Sequence, residues 1–357
     1  INQVDFHLIW NKAFITFILL LKILCMKMIN KFFLFILFFC FLDVKSQCNG
    51  SFQLCDKKYN EVAFLTTHNA FNSSEDNFQF PNQTYNILNQ LNAGVRGLMI
   101  DVYDNNGTPM VYHSFSILGS IPLQDIFNDI KSFLDLNTNE IVTLILECYI
   151  DANSIENVLQ QSLLNNYLYS QDSQSNWATL DEMITSNKRL IIFSDQNDAS
   201  TSQSWYHYVW DYAVETHFSV SDINDFTCEY NRGDSTNDLF IFNHFLTDDL
   251  FGYGLYNESL NVNSNPFFID RVTGCWQSKN KFPNFLTVDF VELGDAQTVV
   301  SQINDMNTDL NESFSSFEKK LIDVKDVLGR SIFGASHNKV VFRIYNDGSV
   351  SKQLNVN

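Results

Sequence analysis

Basic residues are scarce in this chain: 22 Lys and Arg stand against 41 Asp and Glu in 357 residues, for a formal net charge of −19 at pH 7. Nucleic acid is therefore not an expected partner, because neutralising a phosphate backbone takes clustered Lys and Arg. The same acidity repels an anionic membrane surface, so a lipid substrate has to be met by a local patch rather than by the whole protein. There is no CxxC pattern, which removes a thiolate zinc site from consideration. No internal repeat is visible, and no apolar run reaches the about 20 residues of a comfortable membrane span. The carboxyl end lacks the apolar stretch that a lipid-anchor signal requires.

What is present begins with an export signature. Lys27 and Lys31 precede an apolar run from Phe32 to Leu42, and Val44 and Ser46 occupy small-residue cleavage positions. This pattern predicts a secretory signal peptide and a mature chain starting near Gln47. Residues ahead of Met26 or Met28 read as an upstream over-extension, the alternative being a longer signal anchor. The expected location is secreted, extracellular or in the endomembrane lumen, and the expected state is a monomer. Cys48 and Cys55, close in a loop-like CNGSFQLC, can close a small ring in an oxidising compartment, and Cys228 with Cys275 is the plausible second pair. Cys148 sits in a strand-like apolar run and reads as a buried thiol. Six N-x-S/T sequons begin at Asn49, Asn72, Asn82, Asn106, Asn257 and Asn311, so a glycoprotein is expected.

From about residue 60 to 305, short β-rich runs alternate with helical patterns, which predicts parallel strands joined by crossover helices. The candidate strands are Val62 to Thr66, Gly97 to Val102, Met110 to Tyr112, Ile141 to Tyr149, Arg189 to Phe193, Leu239 to Phe245 and Leu286 to Phe290. An eighth is expected within Trp205 to His217. Leu123 to Leu134, Ser154 to Leu168 and Leu180 to Ser186 read as helices, the first opened by Pro122. The fold class is α/β, a TIM-type (β/α)8 barrel in regular or distorted form, spanning residues 47–305 as one domain of a length the fold commonly takes. Residues 306–357 form an appendage, with a polar helical stretch around Ser316 to Val327 and a β-like segment from Lys339 to Tyr345.

In such a barrel, reacting groups come from the carboxyl ends of several strands. His68 and Asn69 follow the first candidate strand, Asp101 closes the second, His113 follows the third, Glu147 lies near the end of the fourth and Asp289 in the last. A lone strand-end histidine is more often a hydrogen-bonded structural residue, and a lone glutamate can simply face water. Convergence of these ends on one face changes that balance. A neutral imidazole can take a proton from a hydroxyl while a protonated one gives a proton to a leaving oxygen, which suits phosphodiester cleavage. Asp101, Glu147 and the amide oxygen of Asn69 are hard oxygen ligands of the kind that Ca2+ or Mg2+ accepts, and a cation there would offset charge building on the phosphate. Since the last strand of a closed barrel lies beside the first, Asp289 is expected to hold His68 in one tautomer.

The segments TTHNAF (66–71), GVRGLMIDVYD (94–104), VYHSF (111–115) and EIVTLILECYI (140–150) resemble the X-region of phosphatidylinositol-specific phospholipases C, in the family's order and spacing. Later segments, WATLDEMITSNKRLIIF (177–193), CEYNR (228–232), FIFNHF (240–245) and PNFLTVDFVE (283–292), resemble secreted phospholipase C-like proteins of plants and fungi. The resemblance implies that His68 activates the inositol 2-hydroxyl and His113 protonates the departing glyceride oxygen, with a cyclic inositol phosphate as first product. It places Asn69, Asp101 and Glu147 where calcium-dependent members hold metal ligands, and it aligns Arg96 with a family arginine, either a phosphate ligand or a structural ion-pair partner. Two departures stand out. Met99 occupies the position of a further acidic ligand, and the metal-free bacterial members have an arginine where Asp101 stands and an aspartate where Asn69 stands. The implied substrate is a phospholipid or inositol phosphodiester at a membrane surface. The competing readings are a metal-assisted phosphodiesterase acting on another headgroup, like sphingomyelinase D or glycerophosphodiesterase barrels, and a non-catalytic secreted lipid-binding glycoprotein. His244 ends FIFNHF near the expected mouth but is not demanded by the resemblance. Trp205, Tyr206, Tyr208 and Trp210 suit either a lipid-facing loop or a packed core.

Overall fold

Side chains along a strand alternate between its two faces, and here that alternation sorts the apolar residues into two cores. Leu65, Leu98, Ile100, Leu144, Leu146, Ile192, Val214, Phe240, Phe242, Leu286 and Val288 face outward into one cluster, together with Ile126, Phe127, Ile130, Phe268 and Val272 of the surrounding helices. Phe64, Ile145, Ile191, Phe193, Ala213, Leu239, Ile241 and Phe285 face inward into the other. The computed structural model from which these contacts are taken describes residues 47–173, 175–198, 202–248, 252–316, 321–325, 339–345 and 350–355. The expected leader within residues 1–46 lies outside the described residues.

The strands in chain order are β1 (Phe64–Thr67), β2 (Gly97–Asn105), β3 (Thr108–Val111), β4 (Ile121–Pro122), β5 (Val142–Cys148), β6 (Leu190–Ser194), β7 (Tyr206–Tyr208), β8 (Ala213–Thr216), β9 (Tyr230–Gly233), β10 (Leu239–Asn243) and β11 (Phe285–Val288). Parallel pairing runs β7-β6-β5-β2-β1-β11-β10-β8, so eight strands make a curled sheet in which the last lies beside the first. The ladder between β7 and β8 is missing; a 3-10 turn at Val209–Asp211 joins them instead. The fold is a distorted (β/α)8 barrel open along that seam.

Two expectations about strands need correction. The run from Met110 to Tyr112 is not a barrel strand: β3 pairs antiparallel with β2 as a hairpin, Val102 opposite Val111. The missing places are filled from the weakly patterned stretch between Trp205 and His217, which supplies β7 and β8. The helix Leu123–Leu136 follows Pro122 and buries Leu123, Ile126, Phe127, Ile130, Phe133 and Leu134, the spacing of one helical face. Asp151 caps the helix Ala152–Gln161 by accepting from the Ser154 amide, and Thr179 with Glu182 forms a capping box for Leu180–Thr185. In the appendage, Leu321–Lys325 is a strand rather than the expected helix and joins Lys339–Tyr345 and Val350–Asn355 in an antiparallel sheet of its own.

The amino end of the barrel is plugged. Tyr59 stacks on Trp177 with ring centroids 4.9 Å apart, and its hydroxyl meets Thr143 Oγ1 at 2.5 Å. Disulfides join Cys48 to Cys55 and Cys228 to Cys275, and Cys148 is a buried thiol. Cutting a fully buried inward ring such as Phe285 to alanine would cost roughly 3–5 kcal/mol. With one end filled by side chains, the carboxyl end is where the interior opens.

Candidate active site

The inward parity of each strand, carried one step past its apolar residues, delivers polar groups to the mouth. His68 continues Phe64 and Thr66 on β1, Asp101 continues Met99 on β2, and Glu147 continues Ile145 on β5. Asp195 continues Phe193, Glu215 continues Ala213, Asn243 continues Ile241, and Asp289 continues Phe285 and Thr287. One cleft at the mouth is lined by His68, Asn69, Met99, Asp101, Glu147, Asp195, Glu215, Arg232, Asn243 and Phe245 among others.

His68 and His113 are anchored in the same manner. His68 Nδ1 lies 3.0 Å from Asp289 Oδ1, and His113 Nδ1 lies 3.1 Å from Asp101 Oδ2. Both carboxylates are buried. A carboxylate accepts, so the Nδ1 of each ring is the donor in its pair. Asparagines join the two pairs. Asn82 donates from Nδ2 to Asp289 Oδ2 at 3.1 Å, and its Oδ1 accepts from Asn69 at 3.2 Å and from Asn72 at 2.7 Å. Asn69 Nδ2 also lies 3.3 Å from His113 Nδ1, a proximity rather than a hydrogen bond while Nδ1 donates to Asp101. Asn72 and Asn82 begin sequons, yet both side chains are buried in this network.

Further contacts fix the ends. The Gln83 amide donates to the carbonyls of His68 and Val288, tying β1 to β11. His68 stacks on Phe245 with centroids 3.9 Å apart. Tyr103 stacks between Tyr112 and Tyr149 at 4.2 and 4.3 Å, which couples the segment bearing His113 to the end of β5, and the Tyr149 hydroxyl donates to Glu147. The residues after His68, His113 and Asp289 are Asn69, Ser114 and Phe290, and their φ angles are +43°, +57° and +46°. Left-handed backbone is costly for serine and phenylalanine and is commonly kept where it aims a functional group.

Burial pushes the Asp289 carboxyl up, with the His68 charge and the bonds from His68 and Asn82 pulling it back. Burial likewise raises Asp101; the bond to His113 opposes this, and the neighbouring Glu147 charge adds to it. Asp101 and Glu147 are register partners across β2 and β5, on the same inward face.

Not every expected residue reaches the mouth. Arg96 precedes β2 and so lies at the amino end, where its Nε is 2.7 Å from Glu140 Oε2 and its Nη1 donates to the Leu91 and Val95 carbonyls. Its guanidinium lies over Phe133, 4.9 Å from the ring centroid. Arg96 is thereby a structural ion-pair partner and is withdrawn as a phosphate ligand. His244 has outward parity: it stacks on Phe268 at 3.9 Å, its Nε2 donates to Val262 O at 2.7 Å, and Arg271 donates to its Nδ1 at 2.8 Å. Burial and the Arg271 charge hold its pKa well down. His207 is also buried, bonded to Ile192 O and the Gln171 amide. Trp205 is in the core, while Trp210 borders the mouth cleft.

Sequence reasoning passed over Asn82, Asp195, Glu215, Arg232 and Asn243. Parity alone would have found Asp195, Glu215 and Asn243 once β6, β8 and β10 were placed. A second cleft was also not foreseen. It is lined by Asn72, Phe78, Phe80, His113, Phe115 and Tyr253 among others, and beside it Phe80, Phe115 and Ile117 are 53%, 59% and 90% exposed.

Comparison with known proteins gives this arrangement a context. The family model described as PI-PLC X 1 matches residues 54–304. A PI-PLC X domain-containing protein of Arabidopsis thaliana is 29% identical over 273 residues, covering 70% of this chain and 62% of its own length. An uncharacterized secreted protein of Arthroderma benhamiae is 26% identical over 282 residues, covering 72% of this chain and again 62% of its own length. Among solved structures, a phosphatidylinositol-specific phospholipase C from Staphylococcus aureus aligns with a TM-score of 0.45 and 16% identity, over 70% of this chain and 93% of that one. The chain thus spans less than two thirds of the length of the curated relatives named here.

Proposed function

The chain belongs to the PI-PLC X family, and on that footing we propose that it cleaves the phosphodiester of a glycerophosphoinositide, with His68 as general base and His113 as general acid. The carrying observation is that the two histidines, each bonded through Nδ1 to a buried carboxylate, border two clefts, one carrying Asp101, Glu147, Asp195, Glu215 and Arg232 and the other with no Asp, Glu, Lys or Arg in its lining. The charged groups of the cleft beside His68 suit the headgroup. The apolar cleft beside His113 suits the glyceride.

His68 Nε2 takes the proton of a headgroup hydroxyl, and that oxygen attacks phosphorus. The bond from phosphorus to the glyceride oxygen breaks while His113 Nε2 gives its proton to the departing oxygen. Asp289 stabilises the imidazolium that forms on His68, as the third member of a catalytic triad does. The products are a cyclic inositol phosphate and diacylglycerol. Exposed Phe80, Phe115 and Ile117 would meet the lipid surface, in place of the tyrosines and tryptophans of the 205–210 segment. Two disulfides and the secreted relative support an oxidising, extracellular location.

A calcium or magnesium ion fits the donor chemistry of Asn69, Asp101 and Glu147. Asp101 uses Oδ2 for His113 and Glu147 uses Oε1 for Tyr149, which leaves a hard oxygen on each without a hydrogen bond among the described residues. Also among the described residues, no group of three His, Cys, Asp or Glu side chains is arranged to hold a metal, so a cation here would rest on two carboxylates and an amide, with Met99 adding no charge. When bound, it would supply positive charge against the phosphate.

The test is product analysis on phosphatidylinositol vesicles, with and without chelator. A cyclic inositol phosphate together with diacylglycerol is expected. Release of free headgroup with phosphatidic acid, and no cyclic product, would assign the chain to the alternative that cuts the other ester bond.

A further inference from the structure

The six sequons differ most at the atom that a sugar would take, the side-chain Nδ2 of the asparagine. In Asn82 that nitrogen donates to Asp289 Oδ2 at 3.1 Å, and in Asn72 it donates to Asn82 Oδ1 at 2.7 Å and to the Phe80 carbonyl at 3.2 Å. Asn82 is 0% exposed and Asn72 2%. Asn49 is half-buried and brackets the Ile141 backbone, accepting from its amide at 2.7 Å and reaching its carbonyl at 3.4 Å. Asn257 is exposed on the helix Tyr256–Val262, but the hydroxyl two residues on, in Ser259, is buried and donates to the Leu255 carbonyl. The Asn311 side chain lies outside the described residues.

Asn106 stands apart. β2 makes its last pairing with β5 at Val102 opposite Cys148, then continues with β3 alone to Asn105 opposite Thr108. Three further residues at about 3.3 Å each carry the hairpin tip roughly 10 Å past the barrel pairing. Asn106 and Gly107 form the two-residue loop, with φ angles of +55° and +84°. Positive φ at both places is the type I′ turn, for which Asn-Gly is a preferred pair. The backbone conformation thus accounts for the residue type, while the Asn106 side chain makes one local contact, from Nδ2 to Oδ1 of adjacent Asn105 at 3.1 Å. Residues 104–108 are all exposed, and a Cβ added at Gly107 would meet no atom within 4 Å. The Thr108 hydroxyl has no hydrogen bond among the described residues.

We propose that Asn106 carries an N-linked oligosaccharide while Asn72 and Asn82 stay bare, the fold itself selecting among the sequons. The Asn106 amide and the Thr108 hydroxyl remain accessible after folding, and a sugar there displaces nothing. At Asn72 or Asn82 a sugar would have to arrive before folding. It would then force a polyhydroxylated ring into closed packing and replace a hydrogen on a nitrogen that is already enclosed, at the cost of burying polar groups without partners. Chains modified there are lost from the folded fraction. The donor is a lipid-diphosphate-linked oligosaccharide of the endomembrane lumen. Transfer joins Asn106 Nδ2 to C1 of its first N-acetylglucosamine; the bond from that carbon to the diphosphate oxygen breaks, the lipid diphosphate leaves with the electron pair, and one amide proton is released. The inference rests on export and not on the phosphodiesterase reading.

The full chain is expressed in a eukaryotic host that adds high-mannose sugars, collected from the medium and shown to unfold cooperatively. An endoglycosidase then trims each glycan to a single N-acetylglucosamine, and peptide mass spectrometry maps it. The segment bearing Asn106 is expected mainly in modified form, and the segment bearing Asn72 and Asn82 without sugar. Thr108→Ala leaves the Asn-Gly turn in place and should abolish the modification at Asn106, whereas Thr108→Ser should retain it. A bare Asn106 in the folded, exported chain, a sugar on Asn72 or Asn82 in that fraction, or a chain that never reaches the medium would overturn the inference. A folded chain modified at Asn106 that cleaves no phosphodiester keeps this inference and loses the phosphodiesterase reading.

Discussion

The cleft beside His68 and the cleft beside His113 differ in charge: the first carries four carboxylates and a guanidinium among its apolar walls, and the second has no Asp, Glu, Lys or Arg in its lining. Around His68 the inward strand positions end in Asp101, Glu147, Asp195, Glu215 and Asn243, with Arg232 reaching in from an added strand. Around His113 the lining is Asn72, Phe78, Gln79, Phe80, Ser114, Phe115, Leu118 and Tyr253, with no Asp or Glu among the residues lining it, although Glu75, Asp76 and Asp248 lie near in sequence. In so acidic a chain the second pattern stands out. On the proposed reading, two imidazoles with the same Nδ1-to-carboxylate anchor would be given different work by the clefts they border, one carrying charged groups suited to a headgroup and the other ringed by aromatic side chains suited to the glyceride. Local geometry alone would leave the base and the acid interchangeable.

The sharpest way to break this comparison is to disable the anchor on one side. Asp289→Asn should reduce phosphatidylinositol turnover roughly 10^2- to 10^4-fold while the protein stays folded, as followed by circular dichroism. Its effect on stability carries a sign of its own. Burial raises the folded-state pKa of Asp289 above the ordinary carboxylate value of 3.8, so between those values the folded state holds the proton more tightly than the unfolded chain. The native protein should therefore gain stability relative to Asp289→Asn as pH falls from neutral towards 4. Denaturant unfolding at the two ends of that window checks it, and a relative loss would mean that the contact to His68 outweighs burial.

A smaller effect is expected from the lipid side. Ile117→Asp places a charge at the most exposed point beside the His113 cleft. It should lower activity on vesicles by about tenfold, comparable to losing one buried aliphatic contact and adding repulsion, and leave turnover of a soluble short-chain substrate where it was. Equal losses on both substrates would show that this loop shapes the site rather than the approach to the membrane.

Much of this arrangement could be read from the sequence because barrels convert order into place. The adjacency of first and last strands brings Asp289 beside His68, and strand ends collect His68, Asp101 and Glu147 at one mouth. What escaped is what parity and local pattern do not encode. His113 comes from a hairpin rather than a barrel strand, so its partner is Asp101 on the preceding strand, a residue that the family resemblance presented as a metal ligand. Arg96 stands one residue before β2, and a strand has two ends; without the start of β2 the sequence cannot say to which end the guanidinium belongs. His244 lies next to Asn243, yet a single step along a strand turns it from the cleft into the helical layer. Arg232 was invisible because its strand is an edge addition, with its role set by Glu215 and Trp210, distant in sequence.

The assignment of base and acid to the two clefts is tested most directly by changing the leaving group. A phosphatidylinositol analogue in which a thiolate replaces the glyceride oxygen needs little or no proton to depart. The account predicts that His113→Ala, inert on the natural ester, recovers much of the native rate on this analogue while His68→Ala does not. Recovery by His68→Ala, or by neither variant in folded protein, would contradict it.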